Sequence, residues 1–210
     1  MENKYNSHIH LVFLILLDLL ILFIPMYGAL HPLLQRVVTN IMSFFIDDHF
    51  HYTWIYFMKH HSQLCSIYQS FVRMVHTQFS TPIKVFRSDS SGEYLSDVFR
   101  QFLSSEGTLA QLSCPGAHAQ NGVAERKHRH IIETARTLLI SSFVPSHFWG
   151  EAVSTTVYLI NRQPSSKLSD KCPGEVLFGT PHYDHLRVFG CTCYVLLAPR
   201  ERTKLSAQSV

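Results

Sequence analysis

Arg87-Ser88-Asp89-Ser90-Ser91-Gly92-Glu93-Tyr94 opens, and Gln120-Asn121-Gly122-Val123-Ala124-Glu125-Arg126-Lys127-His128-Arg129 closes, the stretch that decides how this chain is read. Between the carboxylates of Asp89 and Glu125 lie 35 residues. Asp89 follows an apolar run, Pro82-Ile83-Lys84-Val85-Phe86, whose length and composition predict a short buried strand. Glu125 falls in the first turn of a strongly periodic helix. A strand-end aspartate and a helix-borne glutamate can converge on one divalent cation, since Mg²⁺ is usually held by one or two carboxylates plus substrate phosphates. Two carboxylates held that close repel, and one pKa rises unless a cation neutralises them.

Working outward, residues 42–46 and 53–58 read as two antiparallel strands rich in Ile, Phe and Tyr, joined across residues 47–52. Residues 62–79 carry Leu64, Ile67, Phe71, Val75 and Phe79 at helical spacing, which predicts an amphipathic helix packed on the core. Thr81-Pro82 ends it. Residues 94–106 predict a short helix with Leu95, Val98, Phe99, Phe102 and Leu103 inward, ended by Gly107. A last core strand follows at 109–113, then a Pro- and Gly-containing loop at 114–120. Asn121 is the predicted cap of a long helix whose buried side is marked by Val123, Ile131, Ile132, Ala135, Leu138 and Leu139. Residues 145–162 predict a further helix, 163–171 a polar connector, 173–179 a short helical turn and 186–197 the strands of a small appendage.

The long helix has a polar side as well. Glu125 and Arg129 are four residues apart and share a face. Arg126, Lys127, His128 and His130 surround them. Taken alone, the patch is a solvated surface with an ion pair worth about 0.3–0.5 kcal/mol. Beside a metal-binding carboxylate, phosphate contact by Lys127 and Arg129 is the better reading, and such contacts give salt-dependent, largely sequence-neutral binding.

The composition sets bounds on all of this. In 210 residues, 46% hydrophobic and 16% charged, there is room for one packed domain with extensions. The formal charge of +3 is compatible with a polyanionic partner without requiring one. The 5 cysteines show no C-x-x-C pair, so they read as reduced, mostly buried thiols.

Six phrases carry a resemblance: Phe45-Ile46-Asp47-Asp48, Tyr52-Thr53-Trp54, Arg87-Ser88-Asp89, Ser113-Cys114-Pro115, Gln120-Asn121-Gly122-Val123-Ala124-Glu125-Arg126 and Leu186-Arg187-Val188-Phe189-Gly190-Cys191. Their order resembles that of the copia-type LTR-retrotransposon integrase core, a retrovirus-related Pol polyprotein segment. The resemblance runs from about Phe44 to the C-terminus. It implies an α/β, ribonuclease H-like mixed sheet flanked by helices and a triad of two aspartates and a glutamate on Mg²⁺ or Mn²⁺. It also implies DNA, both element ends and target, as the partner of a homo-oligomer. By resemblance Asp89 and Glu125 are the catalytic and metal-binding residues, and Lys127, Arg129, Arg126 and His128 the DNA-binding ones. Ser91 stands where the family carries the first of two glycines, which puts the local backbone there in doubt.

The first forty residues depart from the family. Residues 11–24 are an apolar block broken by Asp18. It is shorter than the ~20 residues of a spanning helix, and extending it to residue 30 brings in Pro25 and leaves Asp18 near the centre. Membrane anchoring through residues 11–30 is thus an alternative, not the leading one. Codons exist for residues 20–30 that, read from one base earlier, encode F-D-L-I-H-S-D-V-W-G-A, the kind of segment the family places here. The same offset turns residues 37–43 into G-G-H-K-Y-Y-V. The expectation is an out-of-frame first strand, with the bases of the first triad aspartate straddling Pro25 and Met26. Asp18 lies too far upstream to replace it, and Asp47 and Asp48 suit a turn. The organisation expected is therefore an aberrant segment at 1–43, a core-like domain at 44–162 that lacks its normal first strand, and a linker with the start of a post-core region at 163–210. The function expected is a DNA-integration fragment, catalytically disabled, nuclear or cytoplasmic; the alternative is a non-enzymatic nucleic-acid-binding remnant.

Overall fold

The computed structural model describes residues 11–18, 41–88, 94, 96–113 and 118–194, with 11–18 and 118–121 described as backbone. Leu11–Asp18 (β1), Ile41–Asp47 (β2), Thr53–Met58 (β3), Val85–Ser88 (β4) and Leu109–Leu112 (β5) form one sheet in the order β3-β2-β1-β4-β5. β1, β2 and β3 are antiparallel neighbours, from Leu11↔Asp47 to Asp18↔Ile41 and from Ile41↔Met58 to Ile46↔Thr53. β4 is parallel to β1 through Leu14↔Ser88, and β5 is parallel to β4. This is the mixed, ribonuclease H-like arrangement that the resemblance implied. The normal first strand was expected to be missing, and a different stretch takes its position: β1 fills the central place. It is built from the apolar block at 11–18 rather than from residues 20–30, which lie outside the described residues.

The helices cover both faces. Leu64–Phe79 (α1) and Asp97–Ser105 (α2) lie on one side, His118–Ser141 (α3) and Trp149–Ile160 (α4) on the other, and Pro173–Phe178 (α5) adds Leu177 to the first side. Strand alternation sorts β2 between them: Ile41 and Phe45 join the α1 side, while Met42 joins the α4 side. Covered on both faces, all seven residues of β2 are buried. The α1-side core is largely aromatic. Phe45 stacks on Phe71 with centroids 4.3 Å apart, and Tyr68 meets Phe86 at 4.8 Å and Phe99 at 5.2 Å. Such pairs contribute about 0.5–1.5 kcal/mol each beyond the area they bury.

Local chemistry explains the element ends. Ser96 caps α2 through its hydroxyl, which accepts from the Phe99 amide. Gly107, at φ 68°, turns the chain into β5. Asp47 closes β2 as a turn residue: its carboxylate accepts from the His49 and Phe50 amides at 3.0 and 2.5 Å. Asn161, after α4, accepts from the Thr53 amide at 2.9 Å and donates to its carbonyl at 2.8 Å, clamping the start of β3 to the end of α4.

Other expectations shift. The fourth strand begins at Val85, not Pro82, so it delivers its last residue directly before Asp89. α3 starts at His118, so Asn121 lies inside the helix and is not its cap. Val98 and Val123 face solvent, because the inward side of α2 is taken by Phe99 and Leu103 and the inward turn of α3 uses Ala124. Among the described residues 186–194 there is no strand; the segment is an irregular strap whose Phe189 packs against the α4-side core. Gly190, at φ 83°, lies so close to the end of α3 that a Cβ there would meet Ser142 Cβ at 2.7 Å. Four cysteines are described as free thiols, of which Cys172 is buried, Cys65 half-buried, and Cys191 and Cys193 exposed. Mostly buried thiols were expected; an irregular strap cannot cover its own side chains. Cys114 and Ser91 lie outside the described residues.

Candidate metal and nucleic-acid site

The parallel pair β4–β5 sets the stage, because ligands of open α/β sheets bind beyond the carboxyl ends of parallel strands. Ser88, fully buried, ends β4, and its carbonyl accepts from the Ser113 amide at 3.0 Å, keeping the two strand ends level. A cavity of about 310 Å³ opens there, lined by Arg87, Gln111, Leu112 and Ser113. Arg87 donates to the Gln111 side chain across the strands at 3.1 Å. Asp89 is the next residue of the chain after Ser88, and it lies outside the described residues.

The register of β1 decides what else reaches this end of the sheet. Level with Ser88 stands Leu14, with Phe13 and Ile15 on either side. Asp18, the only acid in β1, is four residues further along, about 13 Å at the usual strand rise, and pairs with Ile41. Asp47 belongs to the opposite end of β2. Its carboxyl is buried, with one oxygen satisfied by the turn and the other unpartnered, and burial pushes its pKa above the usual range. No carboxylate from β1 or β2 stands level with the end of β4.

α3 presents Glu125 to solvent, together with Arg126, Arg129 and His130. Ala124, Ile131 and Ala135 form its buried stripe, which fixes the helix on the sheet and hence the direction in which Glu125 points. The four basic residues expected to contact DNA divide accordingly. Arg126 and Arg129 are exposed. Lys127 is half-buried, and burial followed by the charge of Lys167 lowers its pKa. His128 lies against Phe44, ring centroids 6.3 Å apart, with Nε2 buried and unpartnered; burial lowers its pKa as well. That makes His128 a packing residue of the α3–sheet interface, because its ring lies on the side of the helix that faces β2. Reading the helix by charge alone hid this, although its place about one turn before the buried Ile131 and the half-buried Ile132 was a signal.

Among the described residues no three His, Cys, Asp or Glu side chains are grouped as metal ligands. The donor pair inferred from sequence is two carboxylates, which suits a hard cation such as Mg²⁺ completing its shell with water and phosphate oxygens. It does not supply the third carboxylate of a two-ion site. No helix among the described residues is long and apolar enough to cross a membrane, and the first part of the apolar block, residues 11–18, is hydrogen-bonded strand.

No family model matches the chain. Individual proteins do. It is 39% identical over 179 residues to the retrovirus-related Pol polyprotein from transposon RE1 of Arabidopsis thaliana, covering 85% of this chain and 12% of that protein. Against the corresponding polyprotein from transposon TNT 1-94 of Nicotiana tabacum it is 40% identical over 167 residues, 79% of this chain and 13% of the relative. For RE2 of Arabidopsis thaliana the identity is 42% over 166 residues, 79% of this chain and 11% of the relative. The chain thus spans only about an eighth of the length of these relatives. Among solved structures, the HTLV-2 integrase catalytic core domain in complex with magnesium (trimeric form) aligns with a TM-score of 0.49 at 14% identity, over 65% of this chain and 84% of that one. Identity of this order along most of the chain shows that it belongs with the retrovirus-related Pol polyproteins of plant transposons.

Proposed function

We propose that this chain is a disabled integrase core: it keeps a DNA-facing helix and two acids of a three-acid site but does not carry out strand transfer. The observation that carries this is the apolar level of β1. Where the end of β4 leads to Asp89, the neighbouring central strand offers Leu14 flanked by Phe13 and Ile15. In an intact two-ion site the third carboxylate bridges both cations, which together stabilise the entering and leaving oxygens of an in-line displacement. Asp89 and Glu125 are the residues that would hold a single Mg²⁺ or Mn²⁺, and a cation bound there would draw phosphate oxygens to it. Arg126 and Arg129, exposed on the turn that follows Glu125, are the phosphate contacts of that site. The partner proposed is DNA, met in the nucleus or cytoplasm, and the homo-oligomer is the assembly expected of intact relatives.

Incubating the chain with element-end duplexes and Mn²⁺ tests the disabled state. No strand-transfer product is the expected result; product that disappears in Glu125→Gln would overturn it. The out-of-frame origin of residues 1–43 accounts for the missing acid, and the nucleotide sequence over residues 20–44 tests it directly. Codons that do not yield the family's phrase at a one-base offset would remove that explanation.

A further inference from the structure

We propose that Gly122 is a positioning residue: its missing side chain seats the Arg126 guanidinium one turn toward the start of α3, where it meets a DNA phosphate in a fixed orientation. The proposal rests on the reading above that the outward face of α3 engages DNA; it adds which residue aims the arginine.

Gly122 is the fifth residue of α3, inside the helix rather than at either end. Glycine is a local disadvantage there, because it gives up more backbone freedom than alanine on folding and contributes no side chain. Two common reasons for a helical glycine do not apply. Gly122 is not one of the glycines with positive φ, which are Gly107, Gly179 and Gly190. Nor does another described element press on it. Apart from the backbone of its own helix, a Cβ on Gly122 would have as its three nearest neighbours Nη1, Cζ and Nη2 of Arg126, at 3.0, 3.8 and 4.0 Å. All three atoms belong to one guanidinium. That group is what a methyl at position 122 would displace.

Helix geometry accounts for the seat. Side chains lean toward the N-terminus, and residues i and i+4 lie one above the other. At Arg126 this brings the guanidinium over Gly122, where only a hydrogen leaves it room. The Arg126 side chain is exposed, so its charge stays open to a ligand while its inner side rests on Gly122. The neighbouring cations have no such notch: at the same offset Lys127 has Val123 and Arg129 has Glu125. Toward the start of α3 is also toward the proposed metal site. Only a short loop separates α3 from Ser113, whose amide donates to the Ser88 carbonyl at the end of β4. A long cationic side chain that sweeps solvent must be ordered when it grips a phosphate, whereas one already seated is pre-organised. A planar guanidinium gains most from this, since two parallel N–H···O bonds to phosphate oxygens require one orientation. The ligand is thus a phosphodiester of the DNA that passes this end of α3.

Binding of a fluorescein-labelled DNA duplex to the full chain is followed by anisotropy at one fixed KCl concentration. The parent, Gly122→Ala, Arg126→Gln and the double variant are compared. Alanine suits a helix interior, so Gly122→Ala is expected to melt no lower than the parent. It is nonetheless expected to bind about 3- to 10-fold more weakly, a range set by the freedom of one long side chain. In the Arg126→Gln background the same change is expected to weaken binding by less than about 2-fold, since nothing is left to aim. Equal losses in both backgrounds would mean that DNA approaches Gly122 itself, and the positioning role is refuted. It is refuted also if Gly122→Ala binds like the parent while Arg126→Gln does not, or if Gly122→Ala melts lower because another group packs there. In those cases the nucleic-acid reading stands. If the parent chain does not bind the duplex, that reading fails and the inference with it.

Discussion

β2 and β5 belong to the same sheet and are built on opposite terms. β2 is sandwiched between α1 on one face and the α3–α4 pair on the other, and none of its seven residues reaches solvent. β5 is an edge strand with three of its four residues exposed, Leu109 at 59%. The β2 half holds the aromatic core, the Asp47 turn and the Asn161 clamp. The β5 half holds the cavity beside the end of β4 and the chain that continues to Asp89. Burial is concentrated away from the proposed site. This is a division expected of folds in which a rigid scaffold carries functional residues on its strand ends and loops.

The comparison breaks most readily at Phe45. Phe45→Ala removes a ring packed on Phe71, Tyr68 and Tyr56, and should destabilise the chain by about 3–5 kcal/mol in urea titrations. Leu109→Ala on β5 should change stability by less than about 0.5 kcal/mol. Comparable losses at the two positions would erase the distinction. Asn161→Ala comes next. It leaves the buried amide and carbonyl of Thr53 without partners, at roughly 1–3 kcal/mol for each group left unsatisfied. If β3 is held mainly by its ladder with β2, the measured loss will stay near that of a surface substitution.

Gly190→Ala sharpens the contrast from the other side, because the strap at 186–194 touches the α4-side core through Phe189 alone among its hydrophobic residues. The new methyl would strike Ser142 and Val144, on a backbone with positive φ, so detachment of the strap is expected at roughly 1–3 kcal/mol. Proteolysis near Cys191 should accelerate while the global melt hardly moves; an equal loss in both would make the strap part of the core.

The smallest effect is a change of slope with pH. Burial raises the Asp47 carboxyl above its ordinary 3.8, so above that pH the folded chain binds more protons than the unfolded one. Its contribution is full below pH 3.8 and is lost as pH rises through the folded value. Asp47→Asn keeps the oxygen that accepts from His49 and Phe50 and removes the ionisation. Its stability should therefore gain on that of the parent as pH rises from 4 to 7, and a constant difference across that range would place the raised carboxyl elsewhere.

Several elements were legible because one local rule sufficed for each. The 3- and 4-residue spacing of Leu64, Phe71 and Val75 marked α1, Thr81-Pro82 its end, and Asp47 its turn. Where two rules competed, sequence reading faltered. Asn121 is a good capping residue, but the helix begins at His118 and passes through it. His128 reads as one cation among several until β2 is laid against the helix and the ring is found to cover Phe44. Val98 fits an inward stripe, but Phe99 and Leu103 fill the inward side of α2 and leave it in solvent.

Order, spacing and type of residue alone determined the family, the mixed α/β class, the strand that leads to Asp89 and the helix that bears Glu125. Those are properties of contiguous runs, and contiguous runs carry their own periodicity. Only tertiary structure decided that residues 11–18 take the sheet's centre, that Leu14 and not an acid stands beside Ser88, and that the Asn161 side chain reaches Thr53. Strand register and the approach of distant loops depend on which surfaces exclude water together, and no single stretch of the chain records that choice.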